Sequence, residues 1–117
     1  MARRIVEEGF PTTLWGRRPE SLEPYDGSGA AYAADRRALG AASDVLCVCV
    51  IGDADVDEVL RGDDGALAGM PAGGIVVIHS TVHPETCRRL QADFTHPHFV
   101  DAPSLAVVTW PRRRRCW

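Results

Sequence analysis

Lysine is absent from this chain, since all 13 of its Lys and Arg positions are arginine. A lysine general base, general acid or Schiff-base nucleophile is therefore excluded within the 117 residues. Long apolar runs are missing as well, and none approaches the roughly 20 residues that span a bilayer. No apolar segment follows the basic start at Arg3 and Arg4. We therefore expect no membrane partner and a cytoplasmic location.

Basic residues are scarce outside one cluster. Four of the 13 arginines occupy positions 112–115. Residues 1–111 therefore contain the other 9 arginines and all 16 acidic residues, which gives this part a formal net charge of −7. Nucleic-acid binding depends on a basic surface, so this acidic body argues against a nucleic-acid partner. We expect one domain over residues 1–103 and an atypical basic tail over residues 104–117.

The four cysteines do not have the spacing of paired zinc ligands or of a disulfide framework. Cys47 and Cys49 alternate within an apolar run, Cys87 lies in a predicted helix, and Cys116 stands next to the end. The sequence predicts buried, reduced thiols.

The most informative stretch runs from the glycine pair at 73–74 to the helix that Pro84 begins. The apolar, β-branched run at residues 75–78 predicts a strand buried on both faces. Pro84 fixes the φ angle of a first helical turn. Ser80 and Thr81 therefore follow the carboxyl end of a strand, where parallel sheets bind their ligands.

The rest of the chain alternates strands and helices in the same way, which predicts a parallel sheet with right-handed crossovers. Gly9 is expected to end the first helix in a left-handed conformation. Helices are predicted at residues 1–8, 20–25, 34–42, 53–60 and 66–70, and further strands at 10–15, 30–32, 44–51 and 99–101, with a β-prone run at 104–110.

Five stretches, in continuous order over residues 1–103, resemble one family. They are the start Met1-Ala2-Arg3-Arg4-Ile5-Val6, the turn Leu14-Trp15-Gly16-Arg17-Arg18-Pro19-Glu20, Val50-Ile51-Gly52-Asp53, Ser80-Thr81-Val82-His83-Pro84-Glu85-Thr86 and Asp101-Ala102-Pro103. Together they are similar to the N-terminal NAD(P)-binding domain of the β-hydroxyacid dehydrogenases, the group of 3-hydroxyisobutyrate dehydrogenase and 6-phosphogluconate dehydrogenase. The resemblance implies an α/β, Rossmann-type, doubly wound parallel sheet. It also implies an oxidoreductase that transfers hydride between a nicotinamide dinucleotide and a small hydroxy acid.

The chain departs from that family at both ends. The family's Gly-x-Gly-x-x-Gly turn has no counterpart, so we expect the first strand and the Gly-rich turn to be missing. In a sheet of order 3-2-1-4-5-6 that strand is central, and its loss leaves two pieces with unpaired inner edges. We also expect the family's helical second domain, with its catalytic lysine, to be missing from these 117 residues. A start assigned too late and a frame change near Ser104 would explain both departures, and stop codons there in the gene would contradict this.

The resemblance places the cofactor-binding residues at Arg17, Ile51, Gly52 and Thr81, and a substrate contact at Ser80. Arg17 ends the second strand of the family, where an acidic residue favours NAD and an arginine tolerates the 2′-phosphate of NADP. No acid stands there, so NADP is favoured and NAD is the alternative. Each of these residues also has a purely structural interpretation. Arg17 could be a solvated arginine, Ile51 and Gly52 an ordinary strand-to-helix turn, and Thr81 a helix cap. We expect Arg17, Gly52 and Thr81 along one rim, no catalytic residue, and no turnover by this chain alone.

Two other functions compete with the cofactor hypothesis. Exposed sheet edges would suit a non-catalytic interaction module, and homo-oligomerisation through them is left open. A zinc-binding module through His79, His83 and Cys87 is the weaker rival, because no carboxylate pair completes the set and His96 and His98 flank a proline.

Overall fold

The structure, a computed structural model, describes residues 2–102. The predicted strand at 104–110 and the basic tail lie outside this part. Five α-helices, five strands and one 3-10 helix follow one another in the described part. They are α1 (Ala2–Glu7), β1 (Thr13–Leu14), the 3-10 helix (Pro19–Tyr25), β2 (Ala31–Tyr32), α2 (Arg36–Ala41), β3 (Val45–Val48), α3 (Asp53–Leu60), α4 (Ala66–Gly69), β4 (Ile75–Ile78), α5 (Pro84–Asp93) and β5 (His98–Asp101).

Local chemistry explains where several helices begin and end. Gly9 follows α1 with a φ of 84°, which confirms the left-handed ending that the sequence predicts. The Asp35 carboxylate caps α2 by accepting a hydrogen bond of 2.7 Å from the N–H of Ala38. Asp53 and Asp55 occupy the first turn of α3, where their charge suits the positive end of the helix dipole.

The strands form two parallel sheets. β1 pairs with β2, and β3, β4 and β5 pair in that order. The parallel α/β architecture is therefore confirmed. So is the division into two pieces, because within residues 2–102 no strand lies between β1 and β3 and each keeps one edge unpaired.

One face of the larger sheet carries the core. Leu46 and Val48 of β3 and Val76 and Ile78 of β4 are each at most 3% exposed. They belong to one apolar cluster with residues of the flanking helices, namely Leu39, Val56, Leu60, Ala66 and Leu90. This burial fixes the register, because a shift of one residue would turn each buried side chain to the other face.

The opposite face of the same sheet is open, which contradicts two predictions. Val45 is 55% exposed and Ile75 is 37% exposed, so β4 is not buried on both faces. Cys47 and Cys49 are exposed and Cys87 is half-buried, so the prediction of buried thiols is wrong for the first two. All three are free thiols, as predicted. The physical reason is that no element within residues 2–102 covers this face.

Gly40 explains how α2 meets α4. A Cβ atom added at Gly40 would lie 1.9 Å from the carbonyl oxygen of Ala66, and one added at Gly69 would lie 2.1 Å from that of Arg37. The sequence suggests only that Gly40 weakens its helix. In the structure, both glycines are needed because the two backbones touch there.

Candidate functional site

The carboxyl ends of β3 and β4 lie side by side and form the base of the candidate site. Val48 pairs with Ile78 in parallel register, so the segments that follow each strand leave the sheet at the same edge. One of these segments contains Ile51 and Gly52, and the other contains Ser80 and Thr81. Two parts of the predicted cofactor site are therefore neighbours.

Ser80 and Thr81 have different environments. Ser80 is 5% exposed, and its hydroxyl oxygen accepts a hydrogen bond of 2.7 Å from the backbone N–H of Val50. This bond holds the ends of β3 and β4 together. Thr81, in contrast, is exposed. The residue that caps α5 is His83, whose Nδ1 accepts from the N–H of Glu85 at 3.2 Å. Thr81 is thus not the cap of α5.

Ile51 and Gly52, in the segment that follows β3, leave an open surface at the same edge of the sheet. The Ile51 side chain is 94% exposed. Gly52 precedes α3 with a φ of −159°, an extended conformation that any residue adopts, and a Cβ atom added there would meet nothing within 4 Å. The fold therefore leaves free space directly above the Gly52 backbone, which a bound molecule can approach closely.

Arg17 reaches this edge from the smaller sheet. Its Nη2 donates to Asp55 Oδ1 at 3.1 Å and to Glu58 Oε2 at 2.8 Å, and both carboxylates belong to α3. Because Asp55 lies in the first turn of α3, the guanidinium lies near the segment that contains Gly52. The Arg17 side chain remains 54% exposed.

Asp53 is a site residue that the sequence does not single out. Its Oδ1 accepts a hydrogen bond of 3.0 Å from the N–H of His83 and another from the hydroxyl of Thr86. The bond from Thr86 contributes most to a lowered pKa of the Asp53 carboxyl. Asp53 thus ties the start of α3 to the start of α5. The parallel pairing of β3 with β4 brings these residues together, and no local pattern reports it.

The residues of the zinc hypothesis do not converge. Within residues 2–102, no group of three or more His, Cys, Asp or Glu side chains could hold a metal ion. His79, His83 and Cys87 therefore form no ligand set in this part. In the same part of the chain, none of the helices has the length and apolar character needed to cross a membrane.

A cleft of about 1020 Å³ separates β1 from β3. Its walls include both residues of β1 and all four of β3. Arg17, Ile51 and Asp55 also line it, at the end where the strands finish. The cleft therefore reaches Ile51, whereas Gly52, Ser80 and Thr81 are not among the residues that line it.

Comparisons with known proteins agree with this architecture. Residues 1–104 match the family described as the NAD binding domain of 6-phosphogluconate dehydrogenase. A probable mitochondrial 3-hydroxyisobutyrate dehydrogenase-like protein of Arabidopsis thaliana is 28% identical over 117 residues, which is 100% of this chain and 31% of that protein.

Two solved structures superpose on most of the chain. Psf3, in complex with NADP+ and 2-OPP, has a TM-score of 0.75 and 34% identity, over 86% of this chain and 36% of its own. The 3-hydroxyisobutyrate dehydrogenase of Salmonella typhimurium has a TM-score of 0.73 and 26% identity, over 86% of this chain and 35% of its own. This chain therefore spans about a third of the length of each of these three proteins.

Proposed function

The chain belongs to the family of the NAD-binding domain of 6-phosphogluconate dehydrogenase, and from this premise we propose that it forms the NADP-binding part of a hydroxyacid dehydrogenase. The sequence motifs predict this same family. In such an oxidoreductase the protein orients the cofactor, and the nicotinamide ring carries the hydride to or from a small hydroxy acid.

One observation carries this proposal. The exposed Thr81 hydroxyl, the open backbone at Gly52 and the Arg17 guanidinium lie at the carboxyl ends of parallel strands. Ligands of open α/β sheets bind in the crevice outside those ends. The Gly52 backbone allows close approach, the Thr81 hydroxyl can donate or accept a hydrogen bond, and the guanidinium supplies positive charge.

Arg17 supports NADP as the preferred cofactor. A guanidinium fits the two oxygens of a phosphate in a planar, bidentate arrangement, whereas NAD-preferring sites place a carboxylate near the ribose. Asp55 and Glu58 hold the guanidinium at the edge of the sheet, at 3.1 and 2.8 Å. A 2′-phosphate would replace at least one of these carboxylates as its partner. The structure of the relative Psf3 contains NADP+.

The affinity of the chain for NADP+ and NAD+ tests this preference. We expect NADP+ to bind more tightly, and Arg17→Ala to weaken NADP+ binding by about tenfold while leaving NAD+ binding unchanged. Tenfold corresponds to about 1.4 kcal/mol, near the lower end for a charged hydrogen bond, as suits a half-exposed side chain. Arg18→Ala is the matched control, because it removes the adjacent guanidinium and the same charge, whereas Asp55 and Glu58 pair with Arg17. Equal loss for both cofactors in Arg17→Ala would contradict the assignment.

We further propose that the 117-residue chain does not catalyse hydride transfer by itself. It contains no lysine, and it spans about a third of the length of its relatives. Purified chain, NADP+ and a panel of small hydroxy acids should produce no NADPH absorbance. Measurable turnover would contradict this part of the proposal without affecting cofactor binding.

A second candidate function is an interaction module that uses the unpaired edges of β1 and β3. The division into two sheets favours it specifically, because an unpaired edge offers backbone hydrogen bonds to another chain. Molecular mass measured against concentration tests this candidate. A discrete dimer would favour the interaction module, and aggregation or a monomer would contradict it.

A further inference from the structure

A single nitrogen of the Arg17 guanidinium bonds both of its carboxylate partners. Nη2 donates to Asp55 Oδ1 at 3.1 Å and to Glu58 Oε2 at 2.8 Å. A guanidinium offers two pairs of parallel N–H groups to a bidentate ligand, and each pair includes Nη2. Because both hydrogens of Nη2 are already donated, a phosphate can bind Arg17 in a bidentate manner only if one carboxylate leaves.

The two carboxylates differ in how easily they can leave. The side chain of Asp55 is 29% exposed, whereas that of Glu58 is 55% exposed and is longer by one methylene group. The second oxygen of Glu58, Oε1, also lies 3.7 Å from Nη1 of Arg36. Glu58 therefore has another cation within reach, and it can release Arg17 without giving up every charged partner.

Arg36 is held in place to receive that carboxylate. Its side chain is only 18% exposed. Nη2 donates to Asp64 Oδ2 at 2.5 Å, and Nη1 donates to the backbone carbonyl of Glu58 at 2.6 Å. The distance of 3.7 Å from Nη1 to Glu58 Oε1 is longer than a hydrogen bond. A rotation of the Glu58 side chain toward Arg36 would close this gap.

We propose that Glu58 determines how strongly the site prefers NADP over NAD, by exchanging its carboxylate between Arg17 and Arg36. This inference rests on the proposed function, in which Arg17 binds the 2′-phosphate of NADP. When the phosphate binds, Glu58 releases Arg17 and completes its pair with Arg36. NAD has no 2′-phosphate, so Glu58 keeps its bond to Arg17. Glu58 therefore competes with the phosphate and lowers the affinity for NADP, whereas the affinity for NAD does not depend on it.

The opposite effect would require Glu58 to improve phosphate binding by orienting Arg17. Asp55 already bonds the same nitrogen from the first turn of α3, so the orientation of Arg17 does not depend on Glu58 alone. A carboxylate next to a phosphate also repels it, and solvent at a half-exposed site weakens this repulsion without removing it. Competition is therefore the larger effect.

Glu58→Gln tests the competition, because it removes the charge and keeps the size of the side chain. Isothermal titration calorimetry of the 117-residue chain measures its affinities for NADP+ and NAD+. We expect Glu58→Gln to bind NADP+ about three- to fivefold more tightly, the upper end for one exposed ion pair, and to bind NAD+ as before. Asp57→Asn is the matched control, because it removes the same charge from α3 at a carboxylate that pairs with Arg61 and Arg89. An equal gain in both variants, or no gain in Glu58→Gln, would overturn the proposal.

The NMR signal of the Arg36 Nε–H group tests the exchange itself. This signal should shift when NADP+ binds to the unaltered chain, and it should stay in place when NAD+ binds or when NADP+ binds to Glu58→Gln. No shift in the unaltered chain, or an equal shift in Glu58→Gln, would show that Glu58 does not move onto Arg36. Glu58→Ala, which removes the carboxylate entirely, should act in the same direction and decides the question if Glu58→Gln fails to fold.

Arg17→Ala separates this inference from the cofactor proposal. In the Arg17→Ala background, Glu58→Gln should no longer tighten NADP+ binding, because the carboxylate and the phosphate no longer share a partner. If Arg17→Ala weakens NADP+ binding but Glu58→Gln does not strengthen it, only the inference about Glu58 fails. If Arg17→Ala leaves NADP+ binding unchanged, the cofactor assignment of Arg17 fails and this inference fails with it.

Discussion

The close contact between α2 and α4 predicts that replacing Gly40 with alanine lowers the free energy of unfolding, whereas helix propensity alone predicts an increase. Gly40 lies inside α2, where helix propensity alone favours alanine over glycine by about 1 kcal/mol. Its replacement Gly40→Ala would place a Cβ atom 1.9 Å from the Ala66 carbonyl oxygen, whereas unstrained heavy-atom contacts lie at about 3.5–4.0 Å. The obstacle is backbone, so the two helices must separate to accommodate the methyl group.

Separation would disturb the packing of Leu39 and Ala66, which are 8% and 0% exposed. Overpacking of a core typically costs about 1–3 kcal/mol, and a backbone obstacle belongs at the upper end of that range. After the gain in helix propensity, we expect Gly40→Ala to lower the free energy of unfolding by about 2 kcal/mol. For a chain of 117 residues, that corresponds to a Tm lower by roughly 8 °C.

Denaturant unfolding followed by far-UV circular dichroism measures this change. Gly73→Ala is the control, because a Cβ atom there meets nothing within 4 Å, and its stability should match or slightly exceed that of the unaltered chain. If Gly40→Ala proved as stable as the unaltered chain or more stable, helix propensity would dominate and the close packing of α2 on α4 would be refuted.

Three further predictions concern the site edge. Ser80→Ala leaves the Val50 N–H without its acceptor at 2.7 Å and should lower the free energy of unfolding by about 1–3 kcal/mol in the same assay. An unchanged free energy of unfolding would mean that this bond does not hold the ends of β3 and β4 together. Thr81→Ala, at an exposed residue, should change the free energy of unfolding by less than about 0.5 kcal/mol but weaken NADP+ binding. A loss of stability with unchanged NADP+ affinity would contradict a role of Thr81 in cofactor binding. The lowered pKa of Asp53, caused first by Thr86, stabilises the fold above the unfolded pKa of about 3.9, and this contribution is lost as pH falls through the lower folded value. Asp53→Asn should therefore flatten the dependence of unfolding free energy on pH below about pH 4, and an unchanged slope in urea titrations would argue against it.

Much of the larger sheet could be predicted from local pattern. The β-branched run predicts the limits of β4, and the acidic residues predict the start of α3. Both elements cover the predicted residues in the structure. The two separate sheets were also predictable, because a family resemblance without its glycine turn implies a missing central strand. The strand predicted at residues 10–15 shortens to β1 (Thr13–Leu14), since it has a pairing partner on one side only.

Tertiary contacts account for what the sequence could not show. An apolar run such as the one around Cys47 predicts burial, but a second layer is needed to cover each face of a strand, and within residues 2–102 one face has none. The carboxylate partners of Arg17 are 38 and 41 residues away along the chain. Asp53 and Thr86 are separated by 33 residues, and Gly40 meets Ala66 only after α2 and α4 pack. Spacing within a sequence does not report such contacts.

An NMR titration of the isotopically labelled chain with NADP+ tests the central claim most directly. The account predicts that the amide signals of Gly52 and Thr81 and the guanidinium signal of Arg17 shift together, with one common dissociation constant. Gly74, at the opposite end of β4, should remain unchanged. Shifts centred on Gly74, or none at Gly52 and Thr81, would contradict a nucleotide site at the carboxyl edge of the strands.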